Sequence, residues 1–251
     1  MGLIKTCSVR GVDILLDVDS EVESGDQRNY EMWRVWHYDH KESDTLDWID
    51  THFKPGDTVF DIGANIGQYC LYAAKRLNHD VRILAFESEA LNFAKLNRNI
   101  VLNGLVNVIV PYQIAISNRT AVDTFYAKTF TVGASLHTLG RETTQGEVPF
   151  EPQNRQGTVS SSLDDLTTTF GLPIPNHIKV DVDGIEDLIV EGAAGLFHQA
   201  ELRTFLIEVY MQGDIAQRVR AGFEAGGFVL GNEAETDFSA DVVQNLIFTR
   251  P

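Results

Sequence analysis

A glycine-rich turn between two acidic residues is the feature that most constrains this chain of 251 residues. One apolar run ends in Asp61, and the turn that follows contains Gly63 and Gly67. Glu87 ends the next apolar run, 20 residues after Gly67. This spacing is typical of a β-α-β unit in which an acid at the end of the second strand binds ribose hydroxyls. The pattern therefore predicts a parallel α/β sheet with a nucleotide-binding turn.

The acid that precedes the turn distinguishes between classes of nucleotide. Dinucleotide folds use G-x-G-x-x-G here, and the helix start binds a pyrophosphate. This chain instead reads Asp61-x-Gly63-Ala64-Asn65-x-Gly67, and a carboxylate at the strand end would repel a pyrophosphate. S-adenosylmethionine carries an ammonium group, a sulfonium and a ribose, and it has no phosphate. The sequence therefore predicts S-adenosyl-L-methionine rather than NAD as the cofactor.

The charge balance and the two cysteines exclude several other functions. With 36 acidic against 20 basic residues, the formal net charge is −16, which disfavours nucleic acid as a partner. Cys7 and Cys70 form no CxxC motif or Cys/His cluster, so we predict no metal site and no disulfide framework. No apolar run reaches the ~20 residues that span a bilayer, and no signal peptide is recognisable. The predicted location is the cytoplasm, and the oligomeric state is not predicted.

Strand and helix patterns alternate along most of the chain. Repeated βα units imply a doubly wound, largely parallel sheet. The C-terminal strands, joined by an acidic loop over 232–241, predict an antiparallel hairpin at one edge. The predicted strands are 57–62, 81–87, 106–111, 121–127, 157–162, 177–182, 203–208, 227–231 and 243–248. The predicted helices are 43–53 with Ser43 as N-cap, 66–77, 89–102, 163–170, 185–198 and 214–226.

Two domains are predicted from this pattern. Residues 1–42 alternate apolar and polar positions and then become rich in aromatic residues, which predicts a β/helical extension. Its aromatic residues either cover the acceptor or form a small N-terminal core, and the sequence leaves both readings open. Residues 43–251 form the main domain. Ligands of such sheets bind beyond the carboxyl ends of the strands. Acids end four predicted strands, and we expect them to line one crevice: Asp61, Glu87, Asp181 and Glu208.

Five motifs follow one another along the chain: VFDIGANIG (59–67), FES (86–88), QIAIS (113–117), SLDD (162–165) and IKVDVDGIE (178–186). Together they resemble the FkbM-type S-adenosylmethionine-dependent methyltransferases. The similarity covers residues 43–210, and Asp183 stands where the usual fifth motif has a glutamate. The resemblance implies a Rossmann-like class I methyltransferase sheet and methyl transfer to a hydroxyl of a sugar, glycan or polyketide-type small molecule.

The resemblance also assigns the residues of the cofactor site. Asp61 lies near the methionine ammonium, and Glu87 with Ser88 takes the ribose. The third motif ends a strand where family members contact the adenine edge. The implied cofactor-binding residues are Asp61, Gly63, Ala64, Asn65, Gly67, Glu87, Ser88, Gln113 and Ala115.

A hydroxyl acceptor is a poor nucleophile at neutral pH, so a positioned base would help its methylation. Asp181 is the first candidate for this base and His37 the second, followed by Glu186 and Glu208. Other readings stay open: Asp181 as the cap of the next helix, His37 as a packed aromatic, and Asp181 with Asp183 as a cation site.

Two alternative functions remain open from the sequence. The same type of sheet supports a nucleotide-binding oxidoreductase, which Asp61 and the missing glycine spacing disfavour. A degenerate methyltransferase fold that only binds a ligand is the non-catalytic alternative. Acids at four strand ends favour an enzyme over such a module.

Overall fold

The computed structural model describes residues 2–22, 28–143, 148–231 and 243–251. Apolar runs with buried side chains form the strands, and amphipathic segments form the helices. The strands are β1 (Leu3–Val9), β2 (Val12–Val18), β3 (Asp57–Ile62), β4 (Val81–Phe86), β5 (Ile109–Tyr112), β6 (Ala115–Ile116), β7 (Ala121–Ala127), β8 (His137–Leu139), β9 (Asn154–Ser161), β10 (His177–Val180), β11 (Thr204–Tyr210), β12 (Val229–Leu230) and β13 (Val243–Thr249). The helices are α1 (Tyr30–His37), α2 (Ser43–His52), α3 (Gln68–Arg76), α4 (Ala90–Leu102), α5 (Leu163–Thr168), α6 (Glu186–Glu191) and α7 (Ile215–Ala225).

A mixed sheet of seven strands is the central layer, in the order β12-β13-β11-β10-β3-β4-β5. Neighbouring strands from β11 to β5 are parallel, and β3 lies between β10 and β4. Both faces of this parallel part are buried, which explains its nearly continuous apolar runs. The predicted doubly wound α/β sheet is confirmed, and the carboxyl ends of β3, β4 and β10 meet at one edge.

The C-terminal edge of the sheet contains the predicted antiparallel strand. β13 runs antiparallel to both β11 and β12. The segment that joins β12 to β13, together with the predicted acidic loop Glu233–Asp237, lies outside the described residues. The hairpin as a whole therefore stays a prediction.

Two local predictions were wrong for identifiable reasons. The predicted helix 185–198 is interrupted, because α6 ends before Gly192 and a short 3₁₀ turn follows at Leu196–His198. A Cβ at Gly192 would lie 2.4 Å from the Ser117 carbonyl oxygen, so this position packs directly on backbone. Ser43 is not the N-cap of α2, because Glu42 occupies that position and makes no side-chain capping bond.

A second sheet, in the order β6-β9-β7-β8, covers residues for which the sequence predicted only short strands. β7 has the predicted bounds 121–127, and it pairs antiparallel with both β8 and β9. The segment before β8 folds back toward the main sheet, and this brings His137 to the edge of the crevice described below.

The N-terminal residues pack on the main sheet layer. β1 and β2 form an antiparallel pair, and β2 contacts α3 and α4. Ile14 and Leu16 belong to the same apolar core as Leu96. The buried Lys95 pairs with Glu31 at 2.8 Å and so attaches α1 to α4. In the described part of the chain, no helix is both long enough and apolar enough to pass through a membrane.

Candidate active site

A crevice of about 330 Å³ lies beyond the carboxyl ends of β3, β4 and β10. Gly63, Glu87 and Asp181 line it, each directly after one of these strands. Parallel strands end at the same edge, so residues far apart in sequence meet here. The crevice is therefore the ligand site that the sheet topology predicts.

The turn after β3 requires glycine at two positions. Gly63 has a φ of 77°, and a Cβ there would lie 1.9 Å from the Asp181 carbonyl oxygen. Gly67 has a φ of 97°, and a Cβ there would lie 2.7 Å from the side chain of Leu96. Gly63 therefore allows the turn to approach β10, and Gly67 allows α3 to approach α4.

Glu87 is fixed by backbone donors at the end of β4. Its two carboxylate oxygens accept hydrogen bonds from the Asn65 and Glu89 backbone N–H groups, at 2.8 and 2.7 Å. Burial raises the pKa of Glu87 to about 7, although these two bonds oppose the shift. Asn65, at a φ of 52°, also donates to the Ala134 carbonyl. These hydrogen bonds therefore fix the position of Glu87 relative to the turn that contains Asn65.

Asp61 is a buried acid without a partner. Neither of its carboxylate oxygens has a hydrogen-bond partner among the described residues. Burial raises its pKa, and the nearby Lys179 opposes this shift. A buried polar atom without a partner is costly, so its presence points to a group that a ligand would satisfy.

Asp181 and Glu208 face the crevice from neighbouring strands. Glu208 lies one position beyond the last paired residues of β10 and β11, level with Asp181. Burial opposes ionisation of Asp181, but Lys179, 3.0 Å away, holds the pKa of Asp181 well below its ordinary value. Burial and the charge of Asp181 raise the pKa of Glu208 to about 9. At neutral pH the pair of Asp181 and Glu208 therefore presents one ionised and one protonated carboxyl group.

Two other acids shape the turn after β10. Asp183 accepts hydrogen bonds from the backbone N–H groups of Leu136 and His137, at 2.6 and 3.1 Å, and it lines the crevice. Glu186 accepts from the Gly184 N–H at 2.8 Å, and it is fully buried outside the crevice lining. Glu186 is therefore placed to hold the turn. In the described residues, no group of three acidic, His or Cys side chains is arranged to hold a metal ion.

Three basic side chains in the lining were not singled out by the sequence. Arg34 comes from α1, Lys41 from the segment after it, and His137 from β8. Neither ring nitrogen of His137 has a hydrogen-bond partner among the described residues, and burial lowers its pKa to about 4. These residues belong to no local motif, since only the packing of α1 and of the second sheet brings them to the crevice.

Several predicted site residues lie elsewhere. His37 is exposed, bonds the Trp33 carbonyl of its own helix at 2.8 Å and stacks on the Trp33 ring, so this second candidate for the base lies outside the crevice lining. Gln113 is exposed and is not part of the lining, whereas Ala115 and Ser88 line the crevice. Ala64 and Gly67 are outside the lining and shape the turn. Of the four acids expected to line the crevice, Glu87, Asp181 and Glu208 do so, whereas Asp61 is buried outside the lining.

Comparison with known proteins identifies the family. The family described as "Methyltransferase FkbM domain" matches residues 61–230, which contain the turn, Glu87 and the β10 motif. The chain belongs to the FkbM methyltransferase family. It is thus an S-adenosylmethionine-dependent methyltransferase with a Rossmann-like class I fold, and the family disfavours the oxidoreductase alternative.

Individual relatives of this FkbM-family protein are distant. A Streptomyces tacrolimicus protein named 31-O-demethyl-FK506 methyltransferase FkbM is 41% identical over 76 residues, which are 29% of this chain and 28% of that relative. Methyltransferase sdnD of Sordaria araneosa is 26% identical over 192 residues, or 68% of this chain and 73% of that protein. A candidate rRNA methylase from Clostridium thermocellum has a similar fold, with a TM-score of 0.53 and 10% identity over 82% of this chain and 93% of that chain.

The crevice of this FkbM-family protein fits S-adenosylmethionine. Asp61 lies outside the lining, two residues before Gly63, and its buried carboxylate without a partner is one that an ammonium group would satisfy. Glu87 lies at the expected distance along the chain for a ribose ligand, and Gly63 leaves space for a close backbone approach. When bound, S-adenosylmethionine supplies an electrophilic methyl group on its sulfonium.

Proposed function

We propose that the protein is an O-methyltransferase whose acceptor is a hydroxyl of a sugar, glycan or polyketide-type small molecule. The observation that carries this proposal is the pair formed by the ionised Asp181 and the protonated Glu208 at the crevice. A hydroxyl is both a hydrogen-bond donor and an acceptor, so it can donate to Asp181 while it accepts from Glu208. Neither an apolar carbon nor an ammonium group would use both carboxyl groups in this way.

Asp181 is the proposed base for this reaction. Its carboxylate accepts the hydrogen bond of the hydroxyl, orients the oxygen and takes the proton as the oxygen is methylated. A hydroxyl becomes strongly acidic as its oxygen forms the new bond to carbon, so a weakly basic carboxylate suffices. Lys179 keeps Asp181 ionised between turnovers, because its ammonium group lies 3.0 Å from the carboxylate.

The donor site is proposed on the other side of the crevice. Asp61 binds the ammonium of the methionine portion, Glu87 binds the ribose hydroxyls, and Ser88 and Ala115 lie along the adenosine. Removing the side chain of Asp61 or Glu87 would weaken donor binding by about 1–3 kcal/mol, the value of a hydrogen bond to a charged group.

The acceptor class has two further supports. The S. tacrolimicus relative is named for an acceptor with an O-demethyl position, which favours oxygen as the methylated atom. The net charge of −16 disfavours a nucleic acid acceptor. Residues 1–42 act in this proposal as an acceptor cover over the 43–251 domain, since Arg34 and Lys41 line the crevice. The cytoplasmic location is part of the same proposal.

Methyl transfer to a panel of hydroxylated acceptors tests the proposal. The purified protein would be incubated with methyl-labelled S-adenosylmethionine and sugars, oligosaccharides or macrolides, and products analysed by mass spectrometry. An O-methyl ether adds one labelled methyl and survives mild alkali, which hydrolyses a methyl ester. A labelled product methylated at nitrogen or carbon would contradict the proposal. Binding of S-adenosylhomocysteine without turnover of any acceptor would favour the non-catalytic module, and NADH serves as the ligand control.

A further inference from the structure

Arg34 stands out among the buried cations of this protein. Three Lys or Arg side chains are buried in the described part of the chain: Arg34, Lys95 and Lys179. Lys95 pairs with three carboxylates, those of Asp17, Asp19 and Glu31, and Lys179 pairs with Asp181. No carboxylate oxygen of the described residues lies within 4.0 Å of the Arg34 guanidinium, although Arg34 is only 8% exposed. A buried charge without a counterion is strongly unfavourable, so an anionic group of a ligand would stabilise the guanidinium of Arg34.

The guanidinium of Arg34 is held in a fixed orientation. Its Nε donates to the Gly133 carbonyl at 2.8 Å, and its Nη1 donates to Gln68 Oε1 at 2.9 Å. These two bonds leave the Nη2 group without a hydrogen-bond partner among the described residues. A fixed guanidinium with free N–H groups matches the planar geometry of a carboxylate. Arg34 also lines the crevice, so a ligand can reach it.

The position of Arg34 agrees with a second source of positive potential. Gln68, which Arg34 contacts, is the first residue of α3. The first N–H groups of a helix of nine residues have no partner inside the helix and attract anions. On the other side of the same turn, the unpaired Asp61 is the penultimate residue of β3 and attracts a cation. The two ends of the turn therefore match a group that carries an amine and a carboxylate on one carbon atom.

We infer that Arg34 binds the α-carboxylate of the methionine portion of S-adenosylmethionine. The inference rests on the donor site proposed above, and it adds the anionic partner that Asp61 and Glu87 cannot supply. It also assigns a binding role to α1, which precedes the region matched by the family. An anionic group on the acceptor would interact with the same guanidinium, and the experiment separates these two sources.

The test compares two ligands by isothermal titration on the full chain. S-adenosylhomocysteine has the carboxylate, and its decarboxylated analogue keeps the adenosine, the thioether and the amine. We expect the wild-type protein to bind the analogue about 10- to 100-fold more weakly, the loss of a charge-assisted hydrogen bond. In Arg34→Gln the two ligands should bind with nearly equal affinity. Arg119→Gln, which changes an exposed arginine, should keep the wild-type difference.

Each contrary outcome has a distinct meaning. Equal binding of both ligands by the wild type would overturn the inference. This comparison uses only the wild type, so it remains valid if the Arg34 variants fail to fold. A full wild-type difference in Arg34→Gln would also overturn it, and a simultaneous loss of acceptor affinity would then place the anion on the acceptor. Arg34→Lys, which keeps the charge and loses the planar fork, should show an intermediate difference. Absence of binding of either ligand to the wild type would instead contradict the donor site itself.

Discussion

The strands β3, β10 and β11 carry polar residues at both ends, and the two ends are paired differently. At the amino ends, Asp57, His177 and Thr204 are the first residues of their strands. His177 bonds Asp57 at 3.0 Å and Thr204 at 2.7 Å, and the Trp48 indole N–H also donates to Thr204. We call these residues, with Arg203 on Asp57, the amino-end cluster.

The carboxyl ends of the same strands leave polar groups without protein partners. Neither carboxylate oxygen of Asp61 is paired within the described residues, and Glu208 is held protonated beside Asp181. Asp61 follows Asp57 by four residues on one strand, so the same backbone supports both arrangements. The comparison indicates that the amino-end cluster contributes stability, whereas the unpaired carboxylate of Asp61 is a group that a ligand would satisfy.

Loss of the charge on Asp181 is the prediction with the largest effect. In Asp181→Asn, turnover should fall about 10²- to 10⁴-fold, because the amide cannot take the proton of the hydroxyl. Affinity for S-adenosylhomocysteine should change far less, since Asp181 faces the acceptor. Steady-state kinetics and isothermal titration would measure the two quantities.

The control for this variant is Asp214→Asn, which makes the same change at a side chain that is 83% exposed. Its turnover should equal that of the wild type. An unchanged turnover number in Asp181→Asn would remove Asp181 as the base and leave the neutral His137 as the next group to test.

Acid should weaken the amino-end cluster through His177. Burial lowers the pKa of His177 to about 4, although Asp57 opposes this shift. The neutral imidazole therefore stabilises the fold fully above the ordinary pKa of about 6.5, and this stabilisation is lost as the pH falls toward 4. The loss corresponds to about 3 kcal/mol for a change of this size.

Chemical denaturation between pH 7 and pH 4 would measure this dependence. His177→Gln should be less stable at pH 7 and should lose less stability on acidification than the wild type. His198→Gln, at an exposed position, should follow the wild-type curve. Parallel curves for the wild type and His177→Gln would show that His177 does not titrate as described.

The smallest predicted effect concerns Glu208, which faces the crevice beside Asp181. Because the pKa of Glu208 is raised to about 9, its proton is present at neutral pH and is lost as the pH rises above 9. Turnover of the wild type should fall about fivefold between pH 9 and pH 10, as the donor to the hydroxyl is lost. Glu208→Gln keeps a donor at every pH and should not show this fall, whereas Glu224→Gln should show it. A fall of equal size in Glu208→Gln would show that another titrating group causes the loss of turnover at high pH.

Much of the fold was predictable because local patterns determine it. β3 has the predicted bounds 57–62, and α4 begins one residue after the predicted start at 89, since strands and helices in the parallel layer have clear apolar periods. The predicted helix 185–198 failed at Gly192, which is the C-cap of α6 and packs closely on the Ser117 carbonyl. That contact joins residues 75 positions apart, and no local pattern encodes it.

The residues of the candidate site also fall into two groups, those that local sequence patterns predict and those that depend on tertiary packing. Asp61 is the penultimate residue of its strand, and Glu87 and Asp181 directly follow theirs, so their position at one edge follows from the order of elements. Arg34 and His137 reach the crevice from α1 and β8, and their positions depend on tertiary packing. His37 shows the reverse error, because an aromatic-rich segment suggested a ligand contact and the helix turned that ring to solvent.

The central claim is that the two ends of β3 serve stability and binding separately, and Asp57→Asn compared with Asp61→Asn tests it most directly. Asp57→Asn should lower the free energy of unfolding by about 2 kcal/mol and leave the affinity for S-adenosylhomocysteine unchanged. Asp61→Asn should keep or raise the free energy of unfolding, because an unpaired buried charge is removed, and should weaken binding by about 1–3 kcal/mol. Loss of stability without loss of affinity in Asp61→Asn would contradict the account.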